Sequence, residues 1–367
     1  MMLAVTATTK YVLVMVGVSI LSMIVTFHQS RLLGGNSVIS FEESLWNPAE
    51  SPTIVTGDTY SAGWKQFPVP NFKESGGIFI HYHLYKTGGS TIGHFMEDLG
   101  KSDPEEETFF FRRIRKEVLW DAHCMAAIDK VANENKIVLY ELHIEFPAPN
   151  YPTLVEMQPL LDRWRAAAKD RGVPFFAFTV LREPLAHALS FFNFFNVAGK
   201  PGQLWNPFQG EMEPTEENFL KTFQGNRQCI MLDLDAEGIF RAPKAVLRHP
   251  DIVPSHLRVK DNEETLYKKC RIQKVQDALF ESLDWVGTTE NLQNSTLPLM
   301  SKILLDDPEV GRNRSSRKVF TENKKTKKHK PLEISDLSDF ARARVKHETV
   351  WDQQLYNQAK TNYIYNG

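Results

Sequence analysis

A lysine followed by two glycines and two hydroxyls, Lys86-Thr87-Gly88-Gly89-Ser90-Thr91, stands between an apolar run and a helical pattern. A strand that enters a glycine turn and then a helix gathers unpaired backbone N–H groups at the positive end of the helix dipole. Such a point attracts an anion, and Lys86 adds a full charge to it. The guest this predicts is a phosphate or a sulfate. A nucleotide triphosphatase loop would read G-x-x-x-x-G-K-[ST], with the lysine after the glycines, so that motif is absent.

Two further segments carry groups suited to the same chemistry. In "TVLREPLAHALSFF", Arg182 ends an apolar strand pattern, Pro184 suits a first helical turn, and Ser190 falls within the helix that follows. An arginine at such a corner grips a phosphate with two parallel N–H bonds, and a serine hydroxyl adds a donor. Taken alone the arginine serves equally well as a capping ion pair. In "YELHIEF", His143 sits just past a second strand pattern, at the carboxyl edge where parallel sheets bind ligands. With an ordinary pKa of about 6.5, a histidine there can take a proton from a hydroxyl. Glu141 and Glu145 are the next candidates for that base. His81 and His83 have the spacing of one strand face, but no third ligand stands out, so they are assigned to the core or a donor pocket and no metal is expected.

These groups need a scaffold that brings three loops to one edge. Strand patterns at Ile78 to Tyr82, Ile137 to Leu142, Phe175 to Leu181 and Leu283 to Val286 alternate with helical patterns after Ser90, over Met157 to Lys169, from Pro184 and from about Glu290. Alternating β and α units with apolar strands predict an α/β domain with a central parallel sheet flanked by helices. A long final helix, Leu337 to Ala359, is expected to offer Leu337, Phe340, Val345, Trp351, Leu355 and Tyr356 to the core.

With 367 residues, 42% hydrophobic and 24% charged, the chain is long enough and apolar enough to fold as a globular protein. A net charge of −2 argues against nucleic-acid binding through an overall basic surface. The densest positive run, Asn323 to Lys330, suits either a solvated loop or a contact for an anionic ligand. Tyr11 to Phe27 is uncharged and at the lower limit for a spanning helix. A cleaved signal peptide is the rival, but no small-x-small pattern follows, so an uncleaved anchor is favoured. The organisation expected is a tail (1–10), a transmembrane anchor (11–27), a stem (28–75) and a lumenal domain (76–367). Cys124, Cys229 and Cys270 form no metal pattern and leave one thiol over if two pair.

The order Lys-Thr-Gly-Gly-Ser-Thr resembles the 5′-phosphosulfate loop of Golgi carbohydrate sulfotransferases, and "LREP" with a serine eight residues after the arginine resembles their 3′-phosphate segment. "GNRQCIMLDL", "WVGTTENLQNSTLPL" and "WDQQLYNQA" are similar to N-R-Q-x-x-M-L, F-x-G-L-T-E and D-x-x-L-Y-x-x-A of the heparan sulfate 2-O/6-O-sulfotransferases, nearest the 6-O branch. The resemblance spans most of Ile78 to Ala359. It implies a P-loop-like sulfotransferase fold and a single-pass type II Golgi enzyme. It also implies 3′-phosphoadenosine-5′-phosphosulfate (PAPS) as co-substrate, no metal, and a glycan acceptor such as a heparan-sulfate-like polysaccharide.

By that resemblance His143 is the catalytic base, and Lys86 stabilises charge on the leaving phosphate. Lys86, Thr87, Gly88, Gly89, Ser90 and Thr91 bind the 5′ side of the donor, while Arg182 and Ser190 bind its 3′-phosphate. Two segments depart from the family. R-D-P-V-S-R becomes Arg182-Glu183-Pro184-Leu185-Ala186-His187, and H-x-D-W becomes His143-Ile144-Glu145-Phe146, which concentrates the departures on the acceptor side. A nucleotide-dependent kinase and an inactive glycan-binding protein of the same fold are the alternatives.

Overall fold

The computed structural model describes residues 69–101, 108–114, 120–143, 153–198, 212–233, 270–314 and 330–362. The proposed tail, the anchor at 11–27, most of the stem, and residues 323–329 of the basic run lie outside them. Among the described residues no helix is long and apolar enough to cross a membrane.

The core is a five-stranded, all-parallel sheet of β1 (Gly77–His83), β2 (Phe109–Ile114), β3 (Ile137–His143), β4 (Phe175–Leu181) and β5 (Trp285–Thr288), in the order β2-β3-β1-β4-β5. Every residue of β1 is buried. Central strands of a covered parallel sheet are enclosed on both faces, which is why β1 and β4 read as continuous apolar runs without alternation. On one face Phe79 and His81 of β1 meet Phe176 and Phe178 of β4 in a row of rings, and His83 stacks on His81 at its end.

Helices α1 (Phe72–Ser75), α2 (Gly89–Lys101), α3 (Trp120–Glu134) and α4 (Leu154–Asp170) connect or flank the first four strands. Helix α2 buries Ile92, Phe95, Met96 and Leu99, the amphipathic stripe visible in the sequence. Helix α4 starts on a capping box in which Thr153 and Glu156 satisfy each other's backbone N–H groups. The core reaches back to Phe72, inside the last residues assigned to the stem. After β4 come α5 (Pro184–Phe191), which runs into a π-helical turn (Phe192–Val197), then α6 (Glu216–Thr222), α7 (Arg227–Leu232) and α8 (Ile272–Phe280). Cys229 on α7 is disulfide-bonded to Cys270, just before α8, and Cys124 is left buried as a free thiol.

The patterned strands and the helix over Met157 to Lys169 are present, each within a few residues of the expected bounds. The segment from Glu290 is a 3-10 turn and a π turn before α9 (Leu297–Leu305), followed by α10 (Pro308–Arg314). Strand β2 was not expected. Its sequence, "FFFRRI", forms an edge strand whose residues alternate between partly buried and exposed, and two arginines break the apolar signal that marks the inner strands.

The single final helix is two, α11 (Asp339–Glu348) and α12 (Val350–Asn362), broken at Thr349. The break re-aims the chain, and Phe340 is 55% exposed instead of in the core, because Ala341 and Val345 take the inward positions of α11. Leu337, Leu355 and Tyr356 are buried as expected, while Trp351 packs at the edge of the main core. A second, smaller core joins Leu189 and Phe192 beside α5 to Phe219 of α6 and Val345 of α11.

Candidate anion-binding site at the carboxyl edge of the sheet

From β1 the chain leaves toward β2 and β3, and from β4 it leaves toward β5, so the strand order reverses between β1 and β4. Parallel sheets bind ligands in the crevice outside the carboxyl ends at such a point. Both loops singled out in the sequence open there, Leu84 to Gly88 after β1 and Arg182-Glu183 after β4.

The first loop is wound unusually. Lys86 has φ 64° and Gly88 has φ 90°. A left-handed lysine is costly, roughly 1–3 kcal/mol, and persists only where its surroundings over-determine it. Three successive carbonyls do so. The Thr87 hydroxyl donates to Leu84 O at 3.0 Å, His187 Nε2 donates to Tyr85 O at 2.9 Å, and Arg182 Nη1 donates to Lys86 O at 3.1 Å. Thr87 is fully buried with its hydroxyl turned into the loop. The Thr91 N–H closes back on Gly88 O at 3.0 Å, and Ser90 is exposed at the start of α2.

Gly89, first residue of α2, lies directly on the His83 imidazole, so a Cβ at this position would overlap the ring. That close approach brings the N-terminus of α2 down onto the sheet edge.

The Lys86 ammonium lies 3.8 Å from the centroid of the Phe194 ring, and Phe194 is 39% exposed. Burial of the lysine, reinforced by the charge of Arg182, lowers its pKa from 10.5 to about 8. Arg182 is likewise lowered by burial, with Glu290 and Glu183 opposing the shift. Its Nε is buried and has no hydrogen-bond partner among the described residues. Two cations in a crevice, one with an unsatisfied N–H, form a site whose charge a phosphate would complete.

Arg182 itself is clasped. Its backbone N–H donates to Gln228 Oε1 at 2.9 Å, and Gln228 Nε2 donates to Arg182 O at 2.8 Å. Gln228 belongs to α7, and α7 is tied to α12. Asp352 accepts from Gln228 N at 3.0 Å and Cys229 N at 2.7 Å, while Asn226 Oδ1 accepts from Trp351 N at 2.8 Å and Asp352 N at 3.2 Å. Burial raises the Asp352 carboxyl to about 6 against the opposing pull of the two backbone N–H groups. Gly225 packs against the Glu348 carbonyl at the end of α11, where a side chain would collide.

Neither "GNRQ" nor "WDQQL" contained a legible role for these residues. Their function is to hold each other across the fold. Arg227 stacks on Phe191 at 3.7 Å, and its pKa falls to about 9 through burial.

Ser190 is half-buried on α5, two turns beyond Arg182. His143 ends β3 in register with His83 of β1, at the same carboxyl edge. Glu141, a rival for the base, is fully buried with Oε1 2.6 Å from His83 Nδ1 and Oε2 2.6 Å from Arg113 Nε. Burial alone would raise its pKa, but the bond and charge of His83, then His81 and Arg113, hold it at about 2. A carboxylate so engaged is structural. Among the described residues no three His, Cys, Asp or Glu side chains gather as metal ligands do.

No protein-family model matches the chain, and no curated protein matches it.

Proposed function

We propose that this protein transfers a sulfuryl group from PAPS to a glycan hydroxyl. The observation that carries the reading is the bond from Arg182 to the Lys86 carbonyl across the β1–β4 crevice. It joins the two segments that resemble a donor site, although they lie 96 residues apart. The all-parallel sheet supports the finer reading as a sulfotransferase fold.

On this reading Lys86 and the loop through Thr91 hold the 5′ side of the donor, and Arg182 with Ser190 holds its 3′-phosphate. The donor supplies an activated sulfuryl group: the bond from sulfur to the acceptor oxygen forms as the bond from sulfur to the 5′-phosphate oxygen breaks. Lys86 offers its charge to that departing oxygen, and the desolvated crevice strengthens the attraction. His143 takes the proton from the acceptor hydroxyl. Holding the two ends of the donor separately aligns nucleophile, sulfur and leaving oxygen. A type II Golgi membrane location, with the catalytic domain lumenal and the chain anchored through 11–27, belongs to the same proposal.

The test is incubation of the full-length chain with labelled PAPS and a panel of glycans. Label appearing in a glycan, with release of adenosine 3′,5′-bisphosphate, is the expected result. Transfer from ATP with magnesium and none from PAPS would turn the reading to a kinase, and donor or glycan binding without transfer would reduce it to a binding protein.

A further inference from the structure

His187 has no part in the reaction just described, yet it touches the turn on which that reaction depends. It lies on α5, is 1% exposed, and places Nε2 2.9 Å from the carbonyl oxygen of Tyr85, the residue before Lys86. A carbonyl can only accept, so Nε2 carries the proton. The carbonyls on both sides are bound as well, that of Leu84 by Thr87 and that of Lys86 by Arg182. Two of these three ties come from one short segment, Arg182 to His187. A single corner after β4 therefore grips the loop after β1 at consecutive peptide units, bracketing the left-handed residue.

The charges around the ring favour an imidazole over a longer cation. Arg227, Arg182 and Lys86 all bear on His187, and burial followed by these charges lowers its pKa from 6.5 to about 3, although its bond to Tyr85 pulls the other way. The ring can donate one hydrogen bond while adding no positive charge to a crowded cationic site. An arginine or lysine at 187 would add a further buried cation beside three others.

We infer that His187 is a positioning residue for Lys86: its Nε2–H, bonded to the Tyr85 carbonyl, fixes the left-handed turn from which the ammonium reaches the donor. The inference rests on the reading of Lys86 and Arg182 as the donor site. It adds a residue to that site which neither touches the donor nor exchanges a proton with the acceptor.

Two variants of the full-length protein separate positioning from mere packing. His187→Leu fills the space and removes the bond, whereas His187→Gln keeps an N–H donor at similar reach. With PAPS and an accepted glycan, the Leu variant should lose roughly tenfold to a hundredfold in kcat, the scale for a misplaced catalytic group. Its KM for the glycan should hold. The basic limb of its kcat/KM profile should move, because the ammonium leaves its desolvated seat over Phe194, and the Gln variant should restore both rate and limb. A folded Leu variant with wild-type kcat and an unmoved limb overturns the inference.

Nitrogen-15 spectra of the wild-type protein provide a check that does not depend on a variant's folding. They should show the neutral Nε2–H form of His187 at pH 6, and an imidazolium or an Nδ1–H form overturns the inference. Adenosine 3′,5′-bisphosphate titrated into the wild-type protein distinguishes the two levels. No binding there overturns the donor-site reading itself, and the nitrogen spectrum then judges the His187–Tyr85 bond alone.

Discussion

Asn226 and Asp352 cap each other's helices. The Asn226 amide oxygen accepts two N–H groups at the start of α12, and the Asp352 carboxylate accepts two at the start of α7. Both side chains are at most 2% exposed, so neither cap can be replaced by water. The exchange locks α7 in the position from which Gln228 clasps the backbone of Arg182. Two segments 126 residues apart thereby set the placement of a cation at the crevice.

Asp352→Ala should therefore act at a distance. It leaves two buried N–H groups without acceptors, which costs roughly 2–4 kcal/mol of stability. Donor binding should weaken as the Gln228 clasp loosens. Urea unfolding and calorimetry with adenosine 3′,5′-bisphosphate measure the two effects, and an unchanged unfolding midpoint would refute the reciprocal cap.

Lys86→Ala should lower sulfate transfer by on the order of a hundredfold or more, the scale for losing a charge-stabilising group. The pH dependence has a definite sign. The charged form is the active one, and the free protein's ammonium titrates at about 8, so kcat/KM should fall as pH rises through that value. A profile that is flat to pH 10 would remove Lys86 from this role.

Arg182→Ala should weaken binding of adenosine 3′,5′-bisphosphate by about 2 kcal/mol or more, the scale for a charge-assisted hydrogen bond. An analogue lacking the 3′-phosphate should lose much less. Equal losses for both ligands would mean that Arg182 holds the loop alone, through Lys86 O, and does not touch the distal phosphate.

On the proposed reading, in which other residues hold the donor, His143→Ala should abolish most transfer and leave donor affinity and thermal melting near wild type. The acid limb of the wild-type profile should report a histidine ionisation, since only the neutral ring is a base. Wild-type turnover in a normally melting variant would send the search to Glu145, because Glu141 is enclosed between His83 and Arg113.

Acid should unfold the protein through two identifiable groups. His187 titrates at about 3 when folded and about 6.5 when unfolded, so at this group the unfolded chain binds more protons between those values and its contribution to stability is lost as pH drops through them, opposed in part by Asp352, whose carboxyl is raised to about 6 on folding. Glu141, held at about 2 when folded, against the opposing effect of burial, by its bond to His83, continues the loss at lower pH. Stability curves for His187→Gln should flatten in the upper part of that range and those for Glu141→Gln in the lower part. Curves parallel to wild type in both variants would place the acid sensitivity elsewhere.

How much of this was legible beforehand follows from the range of each signal. Strand β1, strand β4 and the N-terminus of α2 could be read directly, because continuous apolar runs, a glycine turn and a 3.6-residue stripe are local consequences of burial and backbone sterics. The amphipathic reading of Phe340 fails because Ala341 and Val345, on a neighbouring face of α11, take the inward positions, a choice that packing makes and the stripe does not. The strand "FFFRRI" was hidden because an edge position tolerates the arginines that the inner strands exclude.

By itself, then, the sequence determined an α/β domain and the residue types of a candidate anion site, since both follow from neighbours along the chain. Only the tertiary structure decided that Arg182 reaches Lys86 O across 96 residues, that His187 binds the Tyr85 carbonyl, and that Asn226 caps a helix 126 residues away. Those choices depend on which strand lies beside which and on how closely two helix ends approach. A hydrogen bond is fixed to a few tenths of an ångström by that packing, and no periodicity in the chain encodes it.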